Sequence, residues 1–302
     1  MKIVISGANG FVGSGVANEL SQDASVEICG IGRKAISNSP VKCYCQCDLR
    51  DLDAAHQIHN AFGFADVFIH FAADLSQTLT SIENNVQGTY HTLQAAKQLG
   101  CKAFIYASSL PIAECTGNIP IDENTKNKPK SLYHIAKYSA EQLLNLPEQL
   151  LNLPEFSSMN NISLRIPAPI GKNMPDNRFL TTTVQNCLLG KPVTLYGHGN
   201  RIQNYIDIRD IAYAIKNIMK MDSIQGLYVI GGYSYSNTDV AQICKKVTKS
   251  NSDIVYLPIE DPEENNKWYV DFSKATRDFN YQPQHTLEDT IESIISSRSL
   301  KQ

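Results

Sequence analysis

The chain has no apolar run near the roughly 20 residues that a membrane span requires, so no segment of it reads as a transmembrane helix. It opens on MKIVISG, which reads as a folding strand rather than a cleavable leader, and a cytoplasmic protein is the expectation. Neither sign of charge dominates. A net charge of -3 over 302 residues, with a pI of about 6.2, offers no reason to expect nucleic acid or an anionic membrane as partner. Eight cysteines are present, but no second Cys or His pair follows at ligand spacing, so no metal site is expected. In CYCQC, Cys43, Cys45 and Cys47 alternate and would share one face of a strand as small buried thiols. Cys29, Cys101, Cys115, Cys187 and Cys244 are scattered, and all eight are expected to be reduced. The length suffices for a sizeable core in one large or two interlocked domains.

What the chain does have begins at once. Ile3, Val4 and Ile5 form a short apolar run that breaks into Gly7, Gly10 and Gly13, after which Phe11 to Leu20 reads as a helix. Glycine has a mechanical use in such a turn, since a Cβ would block approach of a pyrophosphate to the backbone. The N–H groups of Phe11, Val12 and Gly13 at the helix start would face that anion. Strand signals recur at Val26–Ile31, Val41–Cys47, Val67–Phe71, Ala103–Ala107 and Ile162–Ile166, with helical stretches between them. The pattern predicts an α/β fold, a Rossmann-type doubly wound parallel sheet covered on both faces. SLYHIAKYSAE sets Tyr133 and Lys137 on one helix face, where an ammonium beside a phenol favours the phenolate and lowers the tyrosine pKa toward working pH.

The glycine spacing and this Tyr/Lys pair together resemble the short-chain dehydrogenase/reductase superfamily. DVFIHFAA is similar to that superfamily's fourth strand, whose end, Phe71 to Ala73, would border the cofactor. FIYASS is similar to the strand that ends in the catalytic serine, a role that falls on Ser109, with its neighbour Ser108 left open. LRIPAPIG, which contains Pro167, resembles the strand and turn leading to the substrate region. GKPVTLYGHGNRIQNYIDIRDIAYAI and DFSKATRDFNYQPQHTLEDTI are similar to C-terminal segments of the extended subgroup, the NAD(P)-dependent nucleotide-sugar epimerase, dehydratase and reductase family. The resemblance implies a dinucleotide-binding domain over residues 1–167, to which 205–221 return, and a smaller C-terminal substrate-binding lobe mainly over 168–302. It also implies a homodimer through the helices starting near Asn84 and Tyr133.

In that family an acidic residue near positions 31 to 33 binds the ribose of NAD, but CGIGRK has none. Gly32 leaves room, and Arg33 with Lys34 would hold a 2′-phosphate, so NADP(H) is favoured and NAD(H) remains open; the alternative is an Arg33 that stacks on adenine or is solvated. Asp48 and Leu49 stand where the family contacts adenine. Arg201 stands where the family uses an arginine against the nucleotide diphosphate, and the more common position of that arginine holds Gln203. Asp207 and Asp210 are read as capping or pairing at the start of a helix. The family's dehydratases need an acid just after the serine, where this chain has Leu110, Pro111 and Ile112. The implied activity is therefore reduction of a 4-keto nucleotide hexose, with Ser109, Tyr133 and Lys137 as the catalytic set and Ser108, Ser109 and Arg201 toward substrate. A 4-epimerase holding NAD is the close alternative, and a non-catalytic dinucleotide sensor the remoter one. The tandem LLNLPEQ (Leu143–Gln149) and LLNLPE (Leu150–Glu155) reads as a local duplication in a surface connection, because its prolines stop a helix.

Overall fold

The computed structural model describes residues 1–146 and 159–299. Most of the LLNLPEQ tandem therefore lies outside the described residues. The first half of the chain alternates strand and helix: β1 (Lys2–Ser6), α1 (Phe11–Leu20), β2 (Glu27–Gly32), β3 (Cys43–Gln46), α2 (Ala54–Phe62), β4 (Val67–His70), α3 (Leu79–Gln98), β5 (Ala103–Ser109), α4 (Leu132–Leu144) and β6 (Asn160–Ile166). The second half adds β7 (Ala168–Ile170), α5 (Phe179–Leu188), β8 (Val193–Tyr196), β9 (Ile202–Asp207), α6 (Ile208–Ile218), β10 (Gly226–Val229), β11 (Tyr233–Ser236), α7 (Asn237–Thr248), β12 (Ile254–Leu257), α8 (Ser273–Phe279) and α9 (Leu287–Ser299).

Seven parallel strands form the main sheet in the order β10-β6-β5-β4-β1-β2-β3. Its two faces follow from strand alternation: Ile3 and Ile5 enter a core with α1 and α6, whereas Val4, between them, enters a second core with α2, α3 and α4. Both cores are built of buried apolar side chains, aliphatic and aromatic, so truncating one such as Ile5, fully buried, to alanine costs about 2–5 kcal/mol. The seventh strand, β10, comes from the C-terminal half and was not among the strands expected from the sequence. GLYV is a short run with no alternation to mark it, and its place beside β6 is decided by tertiary packing. Pro167 ends the β6 ladder because it brings no N–H, and β7 leaves for a smaller three-stranded sheet ordered β11-β9-β7. β8 and β12 pair separately, and α5, α7 and α9 enclose a third core beneath them. No helix among the described residues is long and apolar enough to cross a membrane.

One cysteine expectation is corrected. Cys29 and Cys43 are joined by a disulfide, so not all eight thiols are free. The cause is register: β2 and β3 pair Cys29 directly against Cys43, with Cα atoms 4.7 Å apart, inside the bonding range. A single-strand reading sees only that Cys43, Cys45 and Cys47 share a face; the cross-strand partner depends on the pairing. Glu27 lies close to both bonded sulfurs, but neither offers a thiolate while they are joined.

Candidate active site

The strand order reverses between β1 and β4, and an open α/β sheet places its ligand crevice at the carboxyl ends of such a pair. Gly7 to Gly13 follow β1, and Phe71 to Ala73 follow β4. The two turns pack against each other. Gly7 has φ +71, and a Cβ on it would come 2.7 Å from the Ala72 nitrogen. A Cβ on Gly13 would fall on the Gly7 carbonyl, whose oxygen accepts from Gly10 N at 2.9 Å. Gly10 is the N-cap of α1 and has no side-chain cap, and no acid occupies the first turn, so the helix start presents bare N–H groups. A glycine cradle at a bare helix N-terminus fits the pyrophosphate of a dinucleotide.

The adenosine side departs from expectation at one residue. Space above Gly32 is filled: a Cβ there would meet the Tyr44 hydroxyl at 2.7 Å, and that hydroxyl donates to Lys34 O at 2.9 Å and accepts from Asn9 Nδ2 at 3.0 Å. Gly32 is small to admit Tyr44, not to leave a void. Arg33 and Lys34 are exposed beyond it. Asp48 forks with Arg50, which holds its carboxyl below the usual range, and Asn84 and Ser76 do the same for Asp74; the Arg33 charge adds to both. The Leu49 carbonyl is bonded to His91 Nδ1 at 2.8 Å, which fixes the turn after β3.

On β5, alternation sends the two serines to opposite sides. Ser108 Oγ donates to Glu141 at 2.5 Å, and Glu141 is gripped by Arg165 through bonds of 3.0 and 2.8 Å, all three residues being buried. Ser108 is thus committed to the interior on the α4 side. Ser109 Oγ has no hydrogen-bond partner among the described residues. A single 3₁₀ turn, Leu110–Ile112, follows it, with Leu110 and Ile112 fully buried. The nearest acid in sequence, Glu114, is paired with Lys128.

Ser131 caps α4 by accepting from His134 N at 3.2 Å, and the helix packs against β5 and the turn after Ser109. Tyr133 and Lys137 share its inner face. Lys137 Nζ donates to Ala107 O at 2.8 Å and lies 4.6 Å from the centre of the Tyr106 ring and 5.9 Å from that of Tyr133. Burial pulls Lys137 down to about 7, with Glu141 acting the other way. Burial pushes Tyr133 up to about 12, the reverse of the shift expected from the sequence. At 5.9 Å from the ring centre, and donating an N–H to a backbone carbonyl, the ammonium does not offset the loss of water around the phenol. The tyrosine is held as a neutral donor.

A buried polar line runs beside this pair. Ser6 Oγ meets His70 Nδ1 at 2.6 Å, Thr89 Oγ1 meets His70 Nε2 at 3.2 Å, and His70 stacks on Tyr106. Full burial, then the Lys137 charge, drives the His70 pKa far down, so the ring is neutral. The signal in the sequence was a polar residue inside the apolar run of DVFIHFAA.

Arg201, in the smaller lobe, is not free. Its guanidinium is 2.5 Å from Glu263 and 3.5 Å from the Gln203 side-chain oxygen. Asp207 caps α6 by accepting from Arg209 N at 2.8 Å, and Asp210 accepts from the backbone of Gln284 and His285.

A seven-stranded doubly wound sheet with a glycine cradle at its switch point and a Tyr/Lys pair beside it defines a short-chain dehydrogenase/reductase. The model of the NAD dependent epimerase/dehydratase family matches residues 3–231, and the chain belongs to that family. Among curated proteins it is similar to the dTDP-glucose 4,6-dehydratase of Shigella flexneri, 23% identical with 98% of this chain and 92% of that protein covered. It is also similar to the UDP-glucose 4-epimerase of Lactobacillus helveticus, 21% identical with 96% and 94% covered. Among solved structures, UDP-glucuronic acid 4-epimerase from Bacillus cereus, in complex with UDP-glucuronic acid and NAD, superposes with a TM-score of 0.83 at 21% identity over 100% of both chains.

Proposed function

We propose that this chain reduces a 4-keto nucleotide hexose, with NADPH favoured over NADH, through Ser109, Tyr133 and Lys137. The observation that carries the reading is the turn after Ser109. Loss of water across C5 and C6 needs a group that takes the C5 proton, and the Leu110–Ile112 turn offers only apolar side chains. Hydride chemistry at one carbon is what this site can support. When bound, the nicotinamide supplies that hydride.

The residues divide the remaining work. The Gly7–Gly13 turn and the first N–H groups of α1 hold the pyrophosphate, with Phe71, Ala72, Ala73 and Pro167 lining the crevice, and Asp48 and Leu49 meeting the adenine. Arg33 and Lys34 meet a 2′-phosphate. Lys137 steadies the nicotinamide ribose while its proton is shared with Ala107 O. Ser109 donates to the substrate oxygen, and Tyr133, neutral at working pH, delivers the proton as charge develops there. Arg201 turns to the substrate diphosphate. A homodimer through α3 and α4 completes the reading, and Leu79 and Ile135 stand exposed on those helices.

A second reading, 4-epimerisation, is supported by the 4-epimerases among the similar proteins. A panel of nucleotide sugars and their 4-keto forms, monitored with NADPH and NADH, tests the proposal. Stoichiometric loss of NADPH absorbance on a 4-keto substrate is the expected result; elimination of water from an unmodified nucleotide hexose sinks it. Tyr133→Phe should lower turnover about 100-fold or more with cofactor binding near normal.

A further inference from the structure

Residues 259–271 form a strap across the smaller lobe, and the strap carries an acidic run, Glu260, Asp261, Glu263 and Glu264. Its course is fixed by bonds at both ends. Gly197 N donates to Ile259 O at 2.8 Å, Glu264 accepts from Asn200 N at 2.9 Å and His198 N at 3.2 Å, and Trp268 N donates to Ile202 O at 3.1 Å. Farther on, Lys267 Nζ reaches Asn118 Oδ1 at 3.1 Å and Asp271 N donates to Ile121 O at 2.9 Å, which ties the strap to the loop beyond Ser109. These anchors hold the strap's backbone on either side of Glu263, whose half-exposed carboxylate sits 2.5 Å from the Arg201 guanidinium.

We infer that Glu263 sets ligand affinity at this site, as a built-in counter-ion that occupies Arg201 until a ligand carrying a diphosphate takes its place. This rests on the reading that Arg201 faces the substrate diphosphate. The exchange is chemically balanced: one monoanionic carboxylate leaves the guanidinium for water and a group of higher negative charge, matched to the same planar fork, replaces it. Glu263 is 48% exposed and Arg201 33%, so the pair is a surface ion pair of small worth, readily exchanged by a stronger anion. A neutral ligand does not compete for the guanidinium, so the pair lowers the affinity for a diphosphate and leaves that for a nucleoside untouched.

Calorimetric titration of the full chain with UDP, dTDP and the uncharged nucleosides uridine and thymidine tests this, using wild type, Glu263→Gln, Arg201→Ala and the double variant. Glu263→Gln should tighten nucleoside diphosphate binding about 3- to 10-fold, leave the nucleosides unchanged, and lose its gain when Arg201→Ala is added. A merely structural role for Glu263 would move diphosphate and nucleoside together, and that result overturns the inference. Wild type that binds a diphosphate with Glu263→Gln no tighter overturns the inference and leaves the nucleotide-sugar reading standing. No diphosphate binding in either form overturns both.

Discussion

At the scale of single residues, strand alternation turns the two serines at the end of β5 to opposite sides, and the proposed chemistry falls on Ser109 alone. Ser109→Ala should lower turnover and leave the unfolding free energy nearly unchanged, because its hydroxyl has no partner within the described fold. Ser108→Ala should do the reverse and cost about 1–3 kcal/mol in urea unfolding, since it strips a bond from the buried Glu141 carboxylate. Equal effects on both measures would remove the distinction. Lys137 supplies a second residue-scale test. Its folded-state pKa, about 7, lies below the ordinary 10.5, so between these values the unfolded chain binds the extra proton. Stability therefore rises with pH from about 7 upward. Above about 9 the trend reverses, because the buried Cys101 thiol, held up to about 12, and Tyr133, also up to about 12, ionise more easily once unfolded. Lys137→Met should flatten the rise between pH 7 and 9 in chemical denaturation; a slope equal to wild type there would show that Lys137 keeps its proton in the fold.

At the scale of elements, β1, α1, β4 and β5 were legible in the sequence because each combines an apolar run with a turn that glycine or a small polar residue ends. What sequence could not supply were relations between elements. The Cys29–Cys43 bond needs the β2–β3 register, the filling of space over Gly32 needs Tyr44 from the neighbouring strand, and β10 needs its place beside β6. Even the sign of the Tyr133 shift depends on packing, since loss of water around the phenol outweighs a cation one helical turn away. The disulfide carries its own consequence. It closes a loop of 14 residues between the last inner strand and the edge strand of the sheet, and chain entropy puts such a cross-link at about 3 kcal/mol. Cys43→Ser should lower unfolding free energy by about 2–3 kcal/mol, with the loss seen equally in wild type under a dithiol reductant. No change in either case would mean that the edge strand is held by its ladder alone.

At the scale of the whole molecule, the question is whether the cofactor leaves between turnovers. An epimerase returns its cofactor oxidised after two hydride steps on opposite faces of one sugar, and so gains by holding it; a reductase must release it each cycle. The adenosine edge is the part of the crevice that bears on this. It has no carboxylate for the ribose hydroxyls at the end of β2, Tyr44 occupies the space over Gly32, and the charged groups available there, Arg33 and Lys34, are exposed on the turn beyond. Contacts made at an exposed edge are screened by salt and broken easily. The chain purified without added cofactor should therefore contain well under one equivalent of dinucleotide, read from its absorbance and by release on denaturation. Bound NADPH should exchange freely and be consumed in proportion to the 4-keto sugar reduced. Near one equivalent of tightly held NAD per chain, together with interconversion of 4-epimers and no net cofactor consumption, would assign the molecule to epimerisation instead, and would place the retention on contacts away from β2.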